Sequence, residues 1–320
     1  MIERRFVLMM FSGGMILAAG VACGQNYPVK PVRIVTAEAG GSNDFAARLV
    51  APGLSSALGQ QVLIDNRGPG IIPSETVARA PADGHTLLLH GSSIWLSSFL
   101  QDNVPYDALR DFAPITILTS APNVLIVHPS LPVKSVKDLV AFAKARPGAL
   151  NYGASGAASS PRLAAELFKA MAGVNIVRIN YRGSGPTLVA LVAGEVQLAF
   201  SSPGGALPHI EAGRLRALAV ATAQPSALLP GLPTVAASGL PGYEYSQAYA
   251  VFAPAKTPAA VVNRLNQEIA RVLSRPEVRE RFLTGGVEPV GSSPEQLTAK
   301  MKYDMTRLGK MIKDLGLRSE

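Results

Sequence analysis

The chain has 320 residues, 48% of them hydrophobic and 16% charged, with a formal net charge of +8. This length accommodates two ordinary domains, and the composition excludes a disordered chain. A single tryptophan and no interleaved basic and aromatic patch argue against nucleic-acid binding, so the positive charge points to anionic solutes or simply to solubility.

In chain order, residues 1–24 form an export signal. Arg4 and Arg5 begin it, Phe6 to Ala22 is an uncharged apolar run, and small residues surround Cys23. This predicts a periplasmic protein cleaved near residues 22–25; the alternative is a lipid anchor at Cys23, although Gly20 stands where such sites usually have Leu. Cys23 is the only cysteine, so cleavage after it leaves neither a disulfide nor thiolate chemistry. Losing Glu3, Arg4 and Arg5 with the leader leaves a charge of +7. No later stretch has the length and apolarity of a membrane span.

Tyr27-Pro28 to Pro31 is a stiff entry to a strand carrying Val32, Ile34 and Val35. Gly40-Gly41 then turns tightly, and Ser42, Asn43 or Asp44 caps a helix from about Asp44 to Leu58. Pro52 should kink or split that helix, and Gly59 ends it. The unpaired N–H groups of its first turn suit an anion, although an ordinary capped connection has the same sequence. Val62-Leu63-Ile64 is a strand, a short helix begins at Ser74 or Glu75, and Thr86 to Leu89 is a strand followed by a second small-residue turn, Gly91-Ser92-Ser93. Val124 to Val127 is a strand, and Ser135 with Asp138 opens a helix in the manner of a capping box.

Leu150-Asn151-Tyr152 is a strand that runs into the third such turn, Gly153 to Ser160, with Ser160-Pro161 starting a helix. Ile176 to Ile179 is a strand, followed by Tyr181-Arg182-Gly183-Ser184-Gly185-Pro186 and a helix through Leu188 and Leu191. Val196 to Phe200 is a strand ending at Ser201-Ser202, and Leu215 to Val220 is another. Residues 223–247 look like a connection, and Ala250 to Pro254 is a late strand. Thr257-Pro258 caps a helix with Val261, Leu265, Ile269 and Val272 at helical spacing, and Ser293-Pro294 starts the last helix. Strands alternating with helices predict an α/β protein with parallel sheets, whose ligands sit at the carboxyl ends of strands.

Catalytic and metal motifs are missing. His85, His90, His128 and His209 lack ligand spacing and are expected on the surface or in loops. Gly-Ala-Ser-Gly-Ala around Ser155 fails the nucleophile elbow at its last position, and no phosphate-loop or dinucleotide fingerprint occurs. No cofactor is called for. What remains is hydroxyls, amides and backbone N–H groups at strand ends, equipment for holding a small anion unchanged.

A set of motifs spans the mature chain in order. They include Tyr27-Pro28-x-Lys30-Pro31, Gly40-Gly41-Ser42-x-Asp44, Ala57-Leu58-Gly59-Gln60, Asp83-Gly84-x-Thr86-Leu87-Leu88 and Pro105-Tyr106-Asp107. Tyr152-Gly153-x-Ser155-Gly156, Tyr181-Arg182-Gly183, Leu215 to Val220 and Phe252-Ala253-Pro254-x-x-Thr257-Pro258 continue the series. Together they resemble the Bug family of periplasmic solute receptors of tripartite tricarboxylate transporters. The resemblance implies a two-lobed periplasmic binding protein, type II-like, each lobe a mainly parallel sheet flanked by helices, with the ligand cleft between lobes. Lobe 1 would take 27–122 and 228–320, and lobe 2 would take 123–227. It implies a monomer that is not an enzyme, a small carboxylate ligand, and the membrane components of such a transporter as partners. By position, Gly41, Ser42, Asp44, Ser92 and Ser93 would face ligand from lobe 1, and Ser155, Gly156, Ala157, Tyr181, Arg182 and Gly183 from lobe 2. Asp44 has helix capping as its alternative role, and Arg182 a surface charge. Three positions depart from the family pattern. The loop Gly68 to Pro73 is shorter and stiffer, Ser201 stands in place of a common Asp, which removes a negative charge from the pocket, and Ala248 in place of a common Trp opens space. A sensor subunit for a signalling kinase is the alternative function, and a serine hydrolase using Ser155 a further one.

Overall fold

A computed structural model of the protein describes residues 27–317, leaving out 38, 69, 157 and 158. The leader, its cleavage point, Cys23 and Ala157 lie outside the described residues.

The first sheet grows from β1 (Val32–Thr36), which leads through α1 (Ser42–Leu58) to β2 (Val62–Asn66), then through α2 (Ile72–Ala78) to β3 (Thr86–Gly91). β1 pairs in parallel with both, placing Val35 opposite Asp65 and Leu88. Leu87, Leu88 and Leu89 are fully buried, as a strand covered on both faces requires. α3 (Ser93–Leu100) follows, then β4 (Phe112–Pro122). Much later β10 (Ser246–Pro254) inserts antiparallel between β3 and β4, and β11 (Glu288–Pro289) adds an antiparallel edge. α1, α8 (Ala259–Leu273) and α9 (Pro276–Thr284) cover one face around Leu54, Leu265, Val272 and Phe282. α3 and α10 (Pro294–Asp314) meet on the other face, where Trp95 Nε1 donates to the buried Asp304 carboxylate at 3.1 Å.

The second sheet has the order β7-β6-β8-β5-β9. Its elements in chain order are β5 (Val124–Val127), α4 (Val136–Ala145), β6 (Asn151–Ala154), α5 (Ser160–Ala172), β7 (Val177–Asn180), α6 (Ser184–Val192), β8 (Leu198–Ser201), α7 (Pro203–Glu211) and β9 (Arg216–Val220). β7, β6 and β8 are parallel, while β5 runs antiparallel to both β8 and β9. The α/β architecture of two helix-flanked sheets is as expected, with parallel pairing confined to one half of each sheet. A continuous apolar cluster links the two, from Trp95, Phe112 and Phe252 to Phe168, Phe200 and Tyr243.

Some expectations need correction. α1 runs unbroken through Pro52. The proline is exposed, so the carbonyl that loses its intrahelical partner can turn to water. His90 is neither on the surface nor in a loop but buried in the central strand β3, while His85 does lie in the loop before β3, buried with its ring edge-on against Tyr27. Gly91-Ser92-Ser93 is the expected tight turn, with Gly91 ending β3, Ser92 capping α3 and Ser93 beginning it. Helices α3, α7 and α9 and the long strand β4 were not anticipated. Ser135 does cap α4 through Asp138 N, but the reciprocal contact goes from Lys134 N to Asp138, and the full capping box is at Ser293 and Gln296 on α10.

The strand register decides which ends of the sheets meet. β4 leaves the first sheet with Pro122 opposite Ser246, at the carboxyl-end side of β3. β5 enters the second with Val124 opposite both Ser201 and Val220, at the carboxyl ends of β8 and β9. The chain therefore crosses between sheets at the carboxyl ends of both. Asn123 ties this crossing together: its carbonyl accepts Ala221 N at 2.8 Å, and its amide donates to Ser160 Oγ at 2.7 Å. Tyr245 N donates to Ala221 O at 2.7 Å where the chain returns.

Phe252 is fully buried and packs edge-on against Trp95 and Phe112. Phe252→Ala is expected to lower the unfolding free energy by about 3–5 kcal/mol, measured by urea titration with the single tryptophan as reporter.

Candidate functional site

Six strand-to-helix connections lie at these carboxyl ends: β1 to α1, β2 to α2 and β3 to α3 on the first sheet, β6 to α5, β7 to α6 and β8 to α7 on the second. Each presents first-turn N–H groups that have no intrahelical acceptor.

On the first sheet, Gly41 and Ser42 are exposed at the start of α1. Gly41 is the N-cap and makes no side-chain cap; its carbonyl accepts Phe45 N at 2.9 Å. Asp44 is buried and works from within the first turn. Its carboxylate accepts Gly40 N at 2.9 Å, Asn66 Nδ2 at 3.0 Å and Arg48 Nε at 2.9 Å. Burial alone would raise its pKa, but the bonds from Arg48, Gly40 and Asn66 and the Arg48 charge outweigh that and hold it at about 2. Asp44 thus shapes the turn, with its oxygens already engaged. Ser92 is buried as the N-cap of α3 and donates its N–H to Ala248 O at 2.8 Å, while Ser93 is half-buried beside it.

Sequence reasoning missed two residues on β10. Tyr249 lies opposite Gly91, and its hydroxyl faces Ser42. Burial pushes that phenol up, and the Ser42 side chain draws it partly back. Gln247, two residues earlier, lies on the same face of the strand. A Cβ on Gly91 would come within 2.5 Å of Gln247 Nε2, so glycine there makes room for the carboxamide. Ala248, between them, points the other way and is buried in the apolar cluster. The expectation that its small size opens space in the pocket is therefore corrected: the strand alternation sends that space to the core.

On the second sheet, Ser155 and Ser201 line one niche with Ser184, Thr187 and Phe200. Its cavity volume of about 10 Å³ has room for one water-sized group. Ser201 is buried, Ser155 is half-buried, and Gly156 is exposed, its carbonyl accepting Ser159 N at 3.0 Å. Tyr181 is half-buried, its ring 3.3 Å from where a Gly153 Cβ would lie, and its hydroxyl is raised first by burial and then by Glu195. Gly183 caps α6 at φ 134°, a conformation suited to glycine alone, and its carbonyl accepts Thr187 Oγ1 at 2.8 Å. Arg182 is exposed and does not line the niche.

The start of α7 was also missed. Ser202-Pro203 carries the same Ser-Pro signal as Ser160-Pro161 and Ser293-Pro294. A Cβ on Gly286, in the loop between α9 and β11, would lie 3.8 Å from Gly204 N. The neighbouring Gly285 packs on Phe45 of α1. The N-terminal turns of α1 and α7 are thereby brought to one locality through a single intervening loop. Among the described residues no group of three or more His, Cys, Asp or Glu side chains could hold a metal, and no helix is long and apolar enough to cross a membrane.

Residues 46–317 match the family described as tripartite tricarboxylate transporter family receptor. The Bordetella pertussis protein BugT is 35% identical over 314 residues, covering 96% of each chain. A solved R. palustris protein with adipate is 38% identical, with a TM-score of 0.72 over 91% of this chain and 99% of that one. MatC from Rhodopseudomonas palustris, with bound malate, is 27% identical, with a TM-score of 0.69 over 89% and 100%.

Because the folded-state pKa of Asp44 is depressed, its contribution to stability is complete above the ordinary carboxylate range and is lost as pH falls through about 2. Melting temperatures of wild type and Asp44→Asn should therefore differ most near neutral pH and converge between about pH 4 and pH 2.

Proposed function

The chain belongs to the tripartite tricarboxylate transporter receptor family, and from that premise we propose a periplasmic receptor that reversibly holds a short dicarboxylate between its two sheets and hands it to the membrane components of such a transporter. It is a solute-binding receptor, not an enzyme. In this reading it works as a monomer, with the lobes divided at 122/123 and near 228, and the crossing around Asn123 serves as the hinge.

One observation carries the reading: the carboxyl ends of both sheets meet at the crossing, each with helix N-terminal turns and serine hydroxyls. Such turns favour carboxylates without needing a paired cation. Gly41 and Ser42 take one side of the acid, with Ser92 and Ser93 behind them. Ser155, Gly156 and Ser201 take the other, and Ser184 and the Gly204–Gly205 amides extend that wall. Ala157, Tyr181, Arg182 and Gly183 stay in the proposed site, Gly183 as the residue that sets the α6 turn and Arg182 as an exposed charge that draws anions in. Asp44 is in the proposal as a residue that positions the α1 turn. Relatives solved with adipate and malate make straight-chain and hydroxylated diacids the class to try first.

Isothermal titration across C3 to C6 diacids should give saturable binding for at least one. Ser42→Val and Ser155→Val should each weaken that ligand about tenfold, with circular dichroism unchanged. Retained affinity in both variants would remove the two turns from the site.

A further inference from the structure

The first sheet presents a polar side chain, Gln247, that has no hydrogen-bond partner among the described residues. Gln247 sits near the start of β10, one residue past Ser246, which pairs with Pro122 at the crossing. It is half-buried. It lies across Gly91, at the carboxyl end of β3, so a Cβ there would be 2.5 Å from Nε2. Tyr249, on the same face, turns its hydroxyl to Ser42 at the α1 turn. Ser42, Tyr249 and Gln247 therefore form a polar row along the floor of the first sheet, from the α1 turn toward the crossing.

We propose that Gln247 is a specificity-determining residue of the cleft, reading the second carboxylate of a diacid whose first carboxylate is held at the α1 turn. This rests on the dicarboxylate-receptor reading above and adds to it the residue that reads the second acid group. Two residues along a strand span roughly 7 Å, so the row suits a medium-length straight-chain diacid. A carboxamide donates to a carboxylate without the desolvation that a buried cation would bring. A half-buried amide left facing hydrocarbon loses its bonds to water, which disfavours the matching monoacid.

The test is titration of glutarate and adipate against pentanoate and hexanoate, on wild type, Gln247→Leu, Gln247→Glu and Gly91→Ala. Wild type should prefer the diacid of each pair by at least about tenfold. Gln247→Leu should abolish that preference, weakening the diacid about tenfold and binding the monoacid at least as tightly as wild type does. Gln247→Glu should weaken the diacid further, through like charge. Gly91→Ala leaves Gln247 in the chain but pushes its carboxamide aside, and should reproduce the Leu variant even if that one folds poorly. A preference retained in both Gln247→Leu and Gly91→Ala, or an equal loss for mono- and diacid, overturns the assignment while leaving the receptor reading intact. Wild type that binds neither glutarate nor adipate also overturns the assignment, while the receptor reading falls only when no C3 to C6 diacid binds.

Discussion

Backbone amides at the starts of helices are the constraint around which this molecule is built. A helix that follows a parallel strand begins with N–H groups that its own turns cannot satisfy, and they point beyond the carboxyl edge of the sheet. In most proteins one such edge faces water. Here the connection through Asn123 and the return through Tyr245 join two sheets at that edge, and in the proposed receptor the two sets of donors share one gap. The apolar cluster from Trp95 to Tyr243 holds the back of the molecule together, and Arg307 of α10 braces it by donating to Gly242 O at 2.9 Å. In that reading the rigid elements sit behind the gap and the helix N-terminal donors line it.

Donors of this kind shape the electrostatics of recognition. Asp44, the carboxylate nearest the α1 turn, is engaged by Gly40, Asn66 and Arg48, so it fixes the loop and does not compete with a bound acid. Ser201 lies buried in the niche of the second sheet, and a hydroxyl there can donate to a carboxylate without adding a negative charge. Arg182 stays at the rim, where a charge affects the approach of an anion more than its final hold.

Much of the fold is written locally. The parallel strands are short apolar runs, and Gly40-Gly41, Gly91-Ser92 and Gly153 onward mark the turns after them in composition alone. Two of the unpredicted elements, α7 and α3, have a local preference that opposes their structure. α7 holds Pro203, Gly204, Gly205 and Pro208 in nine residues, a composition that disfavours a helix interior, and it forms because β8 delivers the chain there. α3 reads Ser-Ile-Trp-Leu-Ser-Ser-Phe-Leu, apolar enough to pass for part of a strand, and becomes a helix by packing on α10. Gln247 and Tyr249 were invisible for another reason. Their place in the site follows from the pairing of β10 with β3, a contact between segments more than 150 residues apart that no local pattern encodes.

The central claim is that one acid is shared by amides from both sheets, and a crystal structure of the protein with its tightest-binding diacid tests it most directly. The account predicts carboxylate oxygens within hydrogen-bonding distance of the Gly41–Ser42 turn on one sheet and of the Ser155–Gly156 turn on the other. A ligand held by one sheet alone, or by side-chain cations away from both turns, would contradict it.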